Sequence, residues 1–314
     1  MPHAPPLRFL IVRRDNIGDL VCTTPLIDAL RAAHPKAWLG ALVNTYNAEV
    51  LARNPALDAV HAYEKLKHRS GSLLANIAGR VRLASRLKGE QLDAVLVPSA
   101  SAQALRIAGS LRPRRVIAES GSLEGRHEVE RAFALGASLG VQGTPGPMRV
   151  FPDLKKIAEL KRQIGEKPFF AVHISARRPA QQWPHYGNLV GELLRKNPVM
   201  LLWAPGPADD PRHPGDDEAA ARIPAHADLV KLPTPDLATL IAALSLARLV
   251  VCPDGGAMHL AAALGKPVVA LFGDSPVERW RPWGVPHRVL RPESRNLADL
   301  PLGPVVDACA ALVG

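Results

Sequence analysis

Cysteine is scarce in this chain: Cys22, Cys252 and Cys309 are the only three, odd in number and far apart. No CxxC pair and no Cys/His spacing of a metal site occurs. Neither a disulfide framework nor a metal centre is expected, and a reducing compartment is. Aromatic residues are few, 4% of 314, so a nucleic-acid surface that interleaves basic and aromatic side chains is not expected either. No stretch approaches the roughly 20 apolar residues of a membrane span, and residues 1–15 carry too short an apolar run for a secretory signal. A cytoplasmic protein is the expectation. Two nucleotide motifs are also missing. No G-x-G-x-x-G follows a strand-like run and no Walker A sequence occurs, which argues against a dinucleotide oxidoreductase and a P-loop NTPase.

Apolar residues make up 47% of the chain, enough for substantial cores, and the length suits two domains. The formal net charge is +10. Such a balance favours an anionic partner: nucleic acid, an anionic membrane face or a phosphorylated substrate.

Residues 249–273, LVVCPDGGAMHLAAALGKPVVALFG, organise the rest. Leu249, Val250 and Val251 form a short β-branched run of the kind buried in parallel sheets. Pro253, Asp254, Gly255 and Gly256 break it, and the glycine pair offers positive φ and close approach of a ligand to the backbone. A helix over 257–264 follows, stopped by Gly265 and Pro267, and then a strand over 268–272. Such a unit places the N–H groups of Gly256, Ala257 and Met258 at a helix start, where anions bind. An ordinary turn with Asp254 as N-cap explains the same residues without a ligand.

The opening repeats the arrangement. A strand over 7–12 leads into Arg13-Arg14-Asp15-Asn16-Ile17-Gly18-Asp19, then a helix over 20–33 with Pro25 near its start. Asp19 reads either as a first-turn residue complementing the helix dipole or as a carboxylate at the ligand-binding edge of a sheet. Strands over 38–43, 94–97 and 115–118 alternate with helices over 46–53, 102–111 and 127–139. The stretch 63–91 is basic, with Lys65, Lys67, Arg69, Arg80, Arg82, Arg86 and Lys88 on a helical rhythm of apolar residues. It reads as a solvated helix face, with a membrane or an anionic acceptor as the alternative.

The Gly- and Pro-rich segment 142–152 marks a boundary. Beyond it, helices over 154–164, 186–196, 219–223 and 237–246 alternate with strands over 169–173, 199–203 and 229–231. A last helix is expected over 305–312. Strand and helix alternate in both halves, which predicts an α/β protein of two doubly wound domains, with the cleft between them as the default site. His259 reads as a diphosphate ligand or as a core residue. Trp280 and Trp283 read as packing. Asp209, Asp210, Asp216 and Asp217 read as a solvated loop and not a metal cluster.

Three segments together resemble glycosyltransferase family 9, the ADP-heptose:lipopolysaccharide heptosyltransferases. They are LIVRRDNIGDLVCTTPLIDALR at the start, HISARRPAQQWP in the second half, and PDGGAMHLAAALGKPVVALFG followed by Pro276 and Trp283-Gly284. The resemblance implies the GT-B arrangement: an acceptor-binding Rossmann-like domain over 1–150, a nucleotide-sugar domain over 151–300, and a C-terminal helix over 301–314 crossing back to the first domain. It implies inverting transfer of heptose from ADP-heptose to a lipopolysaccharide core acceptor, with no cofactor and no divalent metal. By position, Asp19 matches the catalytic base, and Arg13, Asn16 and Gly18 fall on the acceptor side. Asp254, Gly255, Gly256, Ala257, Met258 and His259 match the donor diphosphate loop, and Ser175, Arg177 and Arg178 the segment that closes on it. Where the family often carries Lys two residues before the Trp, this chain has Gln181, so the cation is expected from Arg177 or Arg178. A peripheral contact with the cytoplasmic face of the inner membrane is a further implication, and no nucleic acid is expected. A nucleotide-sugar epimerase and a non-catalytic nucleotide-sugar binding protein are the alternatives.

Overall fold

The computed structural model describes residues 5–63, 73–99, 101–119, 121, 123, 125–176, 178, 181–210 and 214–313. Arg177, Lys65, Lys67, Arg69 and the side chain of Arg80 lie outside what is described. The chain divides into two compact units, Met1–Gly146 and Pro147–Gly314.

The first unit is built on strands β1 (Arg8–Val12), β2 (Trp38–Asn44), β3 (Ala59–Tyr63), β4 (Ala94–Val97) and β5 (Arg115–Ala118), all paired in parallel in the order β3-β2-β1-β4-β5. β1, β2 and β4 are apolar on both faces because helices cover both sides of a parallel sheet. β3 is an edge strand with only His61 buried, so it carries no strong apolar signal in the sequence. Helices α1 (Ile17–Val21), α2 (Thr24–Ala33), α3 (Leu73–Gly89), α4 (Ala102–Ser110) and α5 (Glu128–Phe133) complete the unit, with a 3₁₀ turn at Thr45–Val50 and another at Ala134–Leu139. Among the described residues no helix is long and apolar enough to cross a membrane.

One helix expected over 20–33 is two. Pro25 has no N–H for the carbonyl of Val21, so the first helix stops. The Thr24 hydroxyl donates to that Val21 carbonyl at 2.7 Å instead, and the Thr23 hydroxyl donates to the carbonyl of Asp19 at 2.9 Å. Asp19 therefore lies inside α1 and not in the loop before a helix.

The second unit is built on β6 (Phe169–His173), β7 (Val199–Trp203), β8 (Leu229–Pro233), β9 (Ala247–Pro253), β10 (Val268–Leu271) and β11 (His287–Leu290), parallel throughout, in the order β11-β10-β9-β6-β7-β8. Its helices are α6 (Leu154–Ile164), α7 (Tyr186–Leu194), α8 (Asp217–Ala221), α9 (Leu237–Ser245), α10 (Gly256–Ala263), α11 (Val277–Trp280) and α12 (Leu302–Val313). The helix set apart at 301–314 is part of this unit. Val305, Ala308 and Cys309 are buried in one cluster with Leu189, Leu193, Val251 and Leu271, from α7, β9 and β10.

Both sheets have a point where the strand order reverses. The chain runs outward from β1 through β2 to β3, then returns to β4 beside β1; it does the same from β6, returning to β9. The loops leaving those central strands diverge there and open a crevice at the carboxyl edge, where ligands of such sheets bind.

Candidate active site

In the first unit the crevice lies beyond β1. The Arg13 N–H still donates to the carbonyl of Leu42 at 3.1 Å, and then the chain turns. The turn is gripped from the side by β2 and the 3₁₀ turn after it. Asn44 donates to the carbonyl of Arg14 at 2.6 Å, and Tyr46 and Asn47 donate to the carbonyl of Asp15 at 2.5 and 3.2 Å. Asn16 is the exposed N-cap of α1, and its N–H donates to Asp19 Oδ2 at 3.2 Å. Asp19 Oδ1 accepts from Arg13 Nη2 at 2.8 Å. Asp19 thus stands at the first turn of a helix on a pinned loop, with partners on both oxygens.

Arg13 is not an acceptor contact. It is 1% exposed, and its guanidinium faces Asp19, Asp15 and Glu128. Gly18 is buried as well. Glu128, at the start of α5, goes unnoticed in the sequence. Arg14, next to Arg13, is also buried, 7% exposed. Its guanidinium stacks on the Tyr63 ring at 4.9 Å, at one end of a cavity of about 410 Å³ floored by Leu42, Leu87 and Ile107, with Arg106 also in its wall.

In the second unit the loops leaving β6 and β9 meet. Gln181 Nε2 donates to the Asp254 carbonyl and to its Oδ2, both at 3.2 Å. Arg178 reaches over to the loop after β10, donating to Asp274 Oδ2 at 2.9 Å and to Ser275 Oγ at 2.6 Å, with Asp254 Oδ2 at 4.0 Å. Burial pushes the Asp254 carboxyl up from its ordinary value; hydrogen bonds from Ser275 and Gln181 and the charge of Arg178 oppose the rise. Asp274 and Ser275 are absent from the sequence-based set, since only the fold brings the turn after β10 to this loop. Ser175 Oγ accepts the Ala204 N–H at 2.8 Å and bonds Asp216, so it fixes the neighbouring loop. Asp217 does similar work, accepting from Trp203 Nε1 at 2.7 Å and from the Gly206 N–H at 2.9 Å.

α10 starts at Gly256, and its first-turn N–H groups on Gly256, Ala257 and Met258 have no partner inside the helix. Gly255 has φ 161° and ψ −167°, an extended conformation open to any residue. A Cβ there would meet nothing within 4 Å. The fold itself does not demand glycine at 255, and open space lies over its backbone, as close approach of a ligand requires. The side chains of Met258 and His259 point inward, 0% and 2% exposed. His259 packs edge-to-face on Trp280 at 5.9 Å, which favours its reading as a core residue.

Each crevice therefore suits one half of a group transfer. The first holds an oriented carboxylate able to accept a proton. The second holds a helix N-terminus, an exposed guanidinium and backbone open to approach, the ingredients for an anionic phosphate group.

Comparison with known proteins points the same way. Lipopolysaccharide heptosyltransferase 3 of Escherichia coli is 22% identical over 287 residues, covering 85% of this chain and 83% of that protein. A family 9 glycosyl transferase from Veillonella parvula has a solved structure that superposes with a TM-score of 0.84 at 17% identity, covering 99% of this chain and 98% of that one. The Escherichia coli heptosyltransferase WaaC, solved with ADP-2-deoxy-2-fluoro heptose, superposes with a TM-score of 0.74 at 21% identity over 97% and 99% of the two chains. The fold is that of the GT-B heptosyltransferases. The family model described as glycosyltransferase family 9 (heptosyltransferase) matches residues 100–301. That match spans well over half of the chain, and the protein belongs to glycosyltransferase family 9.

Proposed function

We propose that this enzyme moves a heptose from ADP-heptose to a lipopolysaccharide core acceptor with inversion at the anomeric carbon. The observation that carries the reading is the division of chemistry between the two crevices, within a family of transferases. Asp19 takes the proton of the acceptor hydroxyl as that oxygen forms its bond to the anomeric carbon. The bond from that carbon to the diphosphate oxygen breaks, and ADP leaves with the electron pair. The N–H groups of Gly256, Ala257 and Met258 and the guanidinium of Arg178 stabilise the charge that develops on the diphosphate. Arg178 takes the place of the lysine that Gln181 replaces, from three residues earlier in the same loop. Its ties to Asp274 and Ser275 hold it at the loop after β10, and half of its side chain is exposed.

Arg178 and the helix N-terminus supply the charge compensation that a divalent cation gives in other nucleotide-sugar enzymes, so turnover needs no metal. The acceptor is held on the first unit, where Arg14 and Arg106 flank an apolar-floored cavity, a lining that suits an anionic acceptor with apolar parts. A peripheral contact with the cytoplasmic face of the inner membrane is supported by the net charge of +10 and by Arg82, Arg86 and Lys88 on the exposed side of α3 beside Val81, which is 62% exposed. Transfer onto an acceptor, and not epimerisation or nucleotide-sugar binding alone, is favoured by membership of a transferase family.

The test is ADP release from ADP-heptose, with and without core acceptor. Acceptor-dependent release that survives EDTA is expected. Asp19→Asn lowers kcat by about 10²–10⁴-fold, the usual contribution of a general base, while calorimetric titration with ADP is unchanged. Asp19→Asn with wild-type turnover would discard the base assignment. ADP-heptose consumption that ignores the acceptor would discard transfer.

A further inference from the structure

Arg13 is among the largest fully buried side chains of the described residues, and it is charged. Such a group persists only if its partners repay the lost hydration. They are placed to do so. Nη2 lies 2.8 Å from Asp19 Oδ1 and 2.6 Å from Glu128 Oε1, and Nε lies 3.1 Å from Asp15 Oδ2. Burial alone would lower the guanidinium pKa, but the charges of Asp19, Glu128 and Asp15 outweigh it and raise the value. On its far side Glu128 faces Arg131, whose Nε is 3.5 Å from Oε2, and Arg131 pairs with Glu119. Two guanidinium groups thus meet four carboxylates, drawn from the loop after β1, α1, the end of β5 and α5.

Only Asp19 in this chain of contacts belongs to the reacting machinery. The others lie behind it, with Glu128 and Arg131 held by α5. A guanidinium facing a single carboxylate would orient it and also weaken it as a proton acceptor. Sharing one nitrogen between two carboxylates keeps the orientation and divides the charge.

We propose that Arg13 and Glu128 are a positioning pair for Asp19: Glu128, fixed on α5, holds the guanidinium, and the guanidinium aims the Asp19 carboxylate at the acceptor hydroxyl. The proposal rests on Asp19 being the base. It assigns to Glu128 an influence on catalysis although it sits 115 residues from Arg13 in sequence and touches no substrate.

The experiment compares the full-length enzyme with Glu128→Gln, Arg13→Lys, Arg13→Met and Asp19→Asn, measuring kcat, the donor KM and ADP affinity. Glu128→Gln and Arg13→Met are expected to lower kcat about 10–100-fold, the scale of a small misplacement of a catalytic group. The donor KM and ADP affinity stay within about threefold, and Arg13→Lys recovers part of the loss. Loss of kcat only in proportion to lost ADP binding, or to the unfolded fraction, overturns the proposal. If Arg13→Met does not fold, the near-isosteric Glu128→Gln and Arg13→Lys decide, and wild-type kcat in both overturns it. Inactive Asp19→Asn beside fully active Glu128→Gln and Arg13→Lys removes the pair and leaves the base standing. Active Asp19→Asn removes the base itself and the pair with it.

Discussion

His173, the last residue of β6, is a buried imidazole that burial pushes down to about 4. The folded chain keeps it neutral while the unfolded chain charges it near the ordinary value of 6.5. As pH falls from about 6.5 towards 4, the unfolded state binds a proton that the folded state refuses, so stability falls, with a slope approaching about 1.4 kcal/mol per pH unit. Below about 4 both states are protonated and the slope ends. Urea unfolding across that window should show the decline, and His173→Gln should flatten it; an unchanged slope would mean other groups carry the acid sensitivity. At this scale Asp254 is legible because it directly follows an apolar strand-like run, and Asp19 because it stands with Gly18 at a helix start after one. Glu128, Asp274 and Ser275 are not: what matters about them is a partner far away in sequence, and no spacing records it. Residue 177, expected at the phosphate, lies outside the described residues, and Arg178 beside it reaches the Asp254 cluster.

The loop from β6 to α7 shows what an element contributes. Its end is pinned by Trp183, 3% exposed, whose Nε1 donates to the carbonyl of Leu300 at 2.8 Å and whose ring meets Tyr186 edge-to-face at 5.1 Å. Trp183→Phe keeps most of the packing and strips the Leu300 carbonyl of its donor, a loss of about 1–3 kcal/mol. Because Arg178 and Gln181 ride on the same loop, ADP affinity should fall with stability. Thermal unfolding and ADP titration of this variant check both, and a stability loss with unaltered ADP affinity would separate the anchor from the site. Elements were readable where one physical signal dominated. α6, β6 and β7 fall on their expected bounds, since an Asp153 N-cap with Gly165 after the helix, and fully apolar runs, leave no rival. They were unreadable where two signals competed. The helix expected over 127–139 ends as α5 at Phe133 and tightens into a 3₁₀ turn, where Gly136 packs so close to Val141 that a Cβ would lie 2.8 Å from it.

For the molecule as a whole, each unit has its own sheet and its own buried cluster. Ligand chemistry divided this way predicts a divided response. Hydrogen exchange on the full chain with saturating ADP should protect the amides of residues 255–259 and of the loop that carries Arg178. ADP at 100 times its Kd adds about 2.7 kcal/mol to the state that binds it. Protection concentrated around Asp19 instead would place the nucleotide in the first unit and reverse the assignment of donor and acceptor.

The sequence by itself determined the α/β class, and it pointed to a division into two halves within residues 142–152 and to the two loops expected to hold the site. These follow from local causes: apolar runs long enough for buried strands, helix caps, a Gly-Asp pair at a helix start and Asp-Gly-Gly at a strand end. Only the tertiary structure decided which loops meet. Strand order places the departures from β6 and β9 side by side, which joins Arg178 and Gln181 to Asp254. It also brings α5 against the turn after β1, where Glu128 and Asp15 offset the cost of burying a guanidinium that stays charged. Pairing of that kind answers to desolvation in a packed interior, a condition that exists only once the chain has folded.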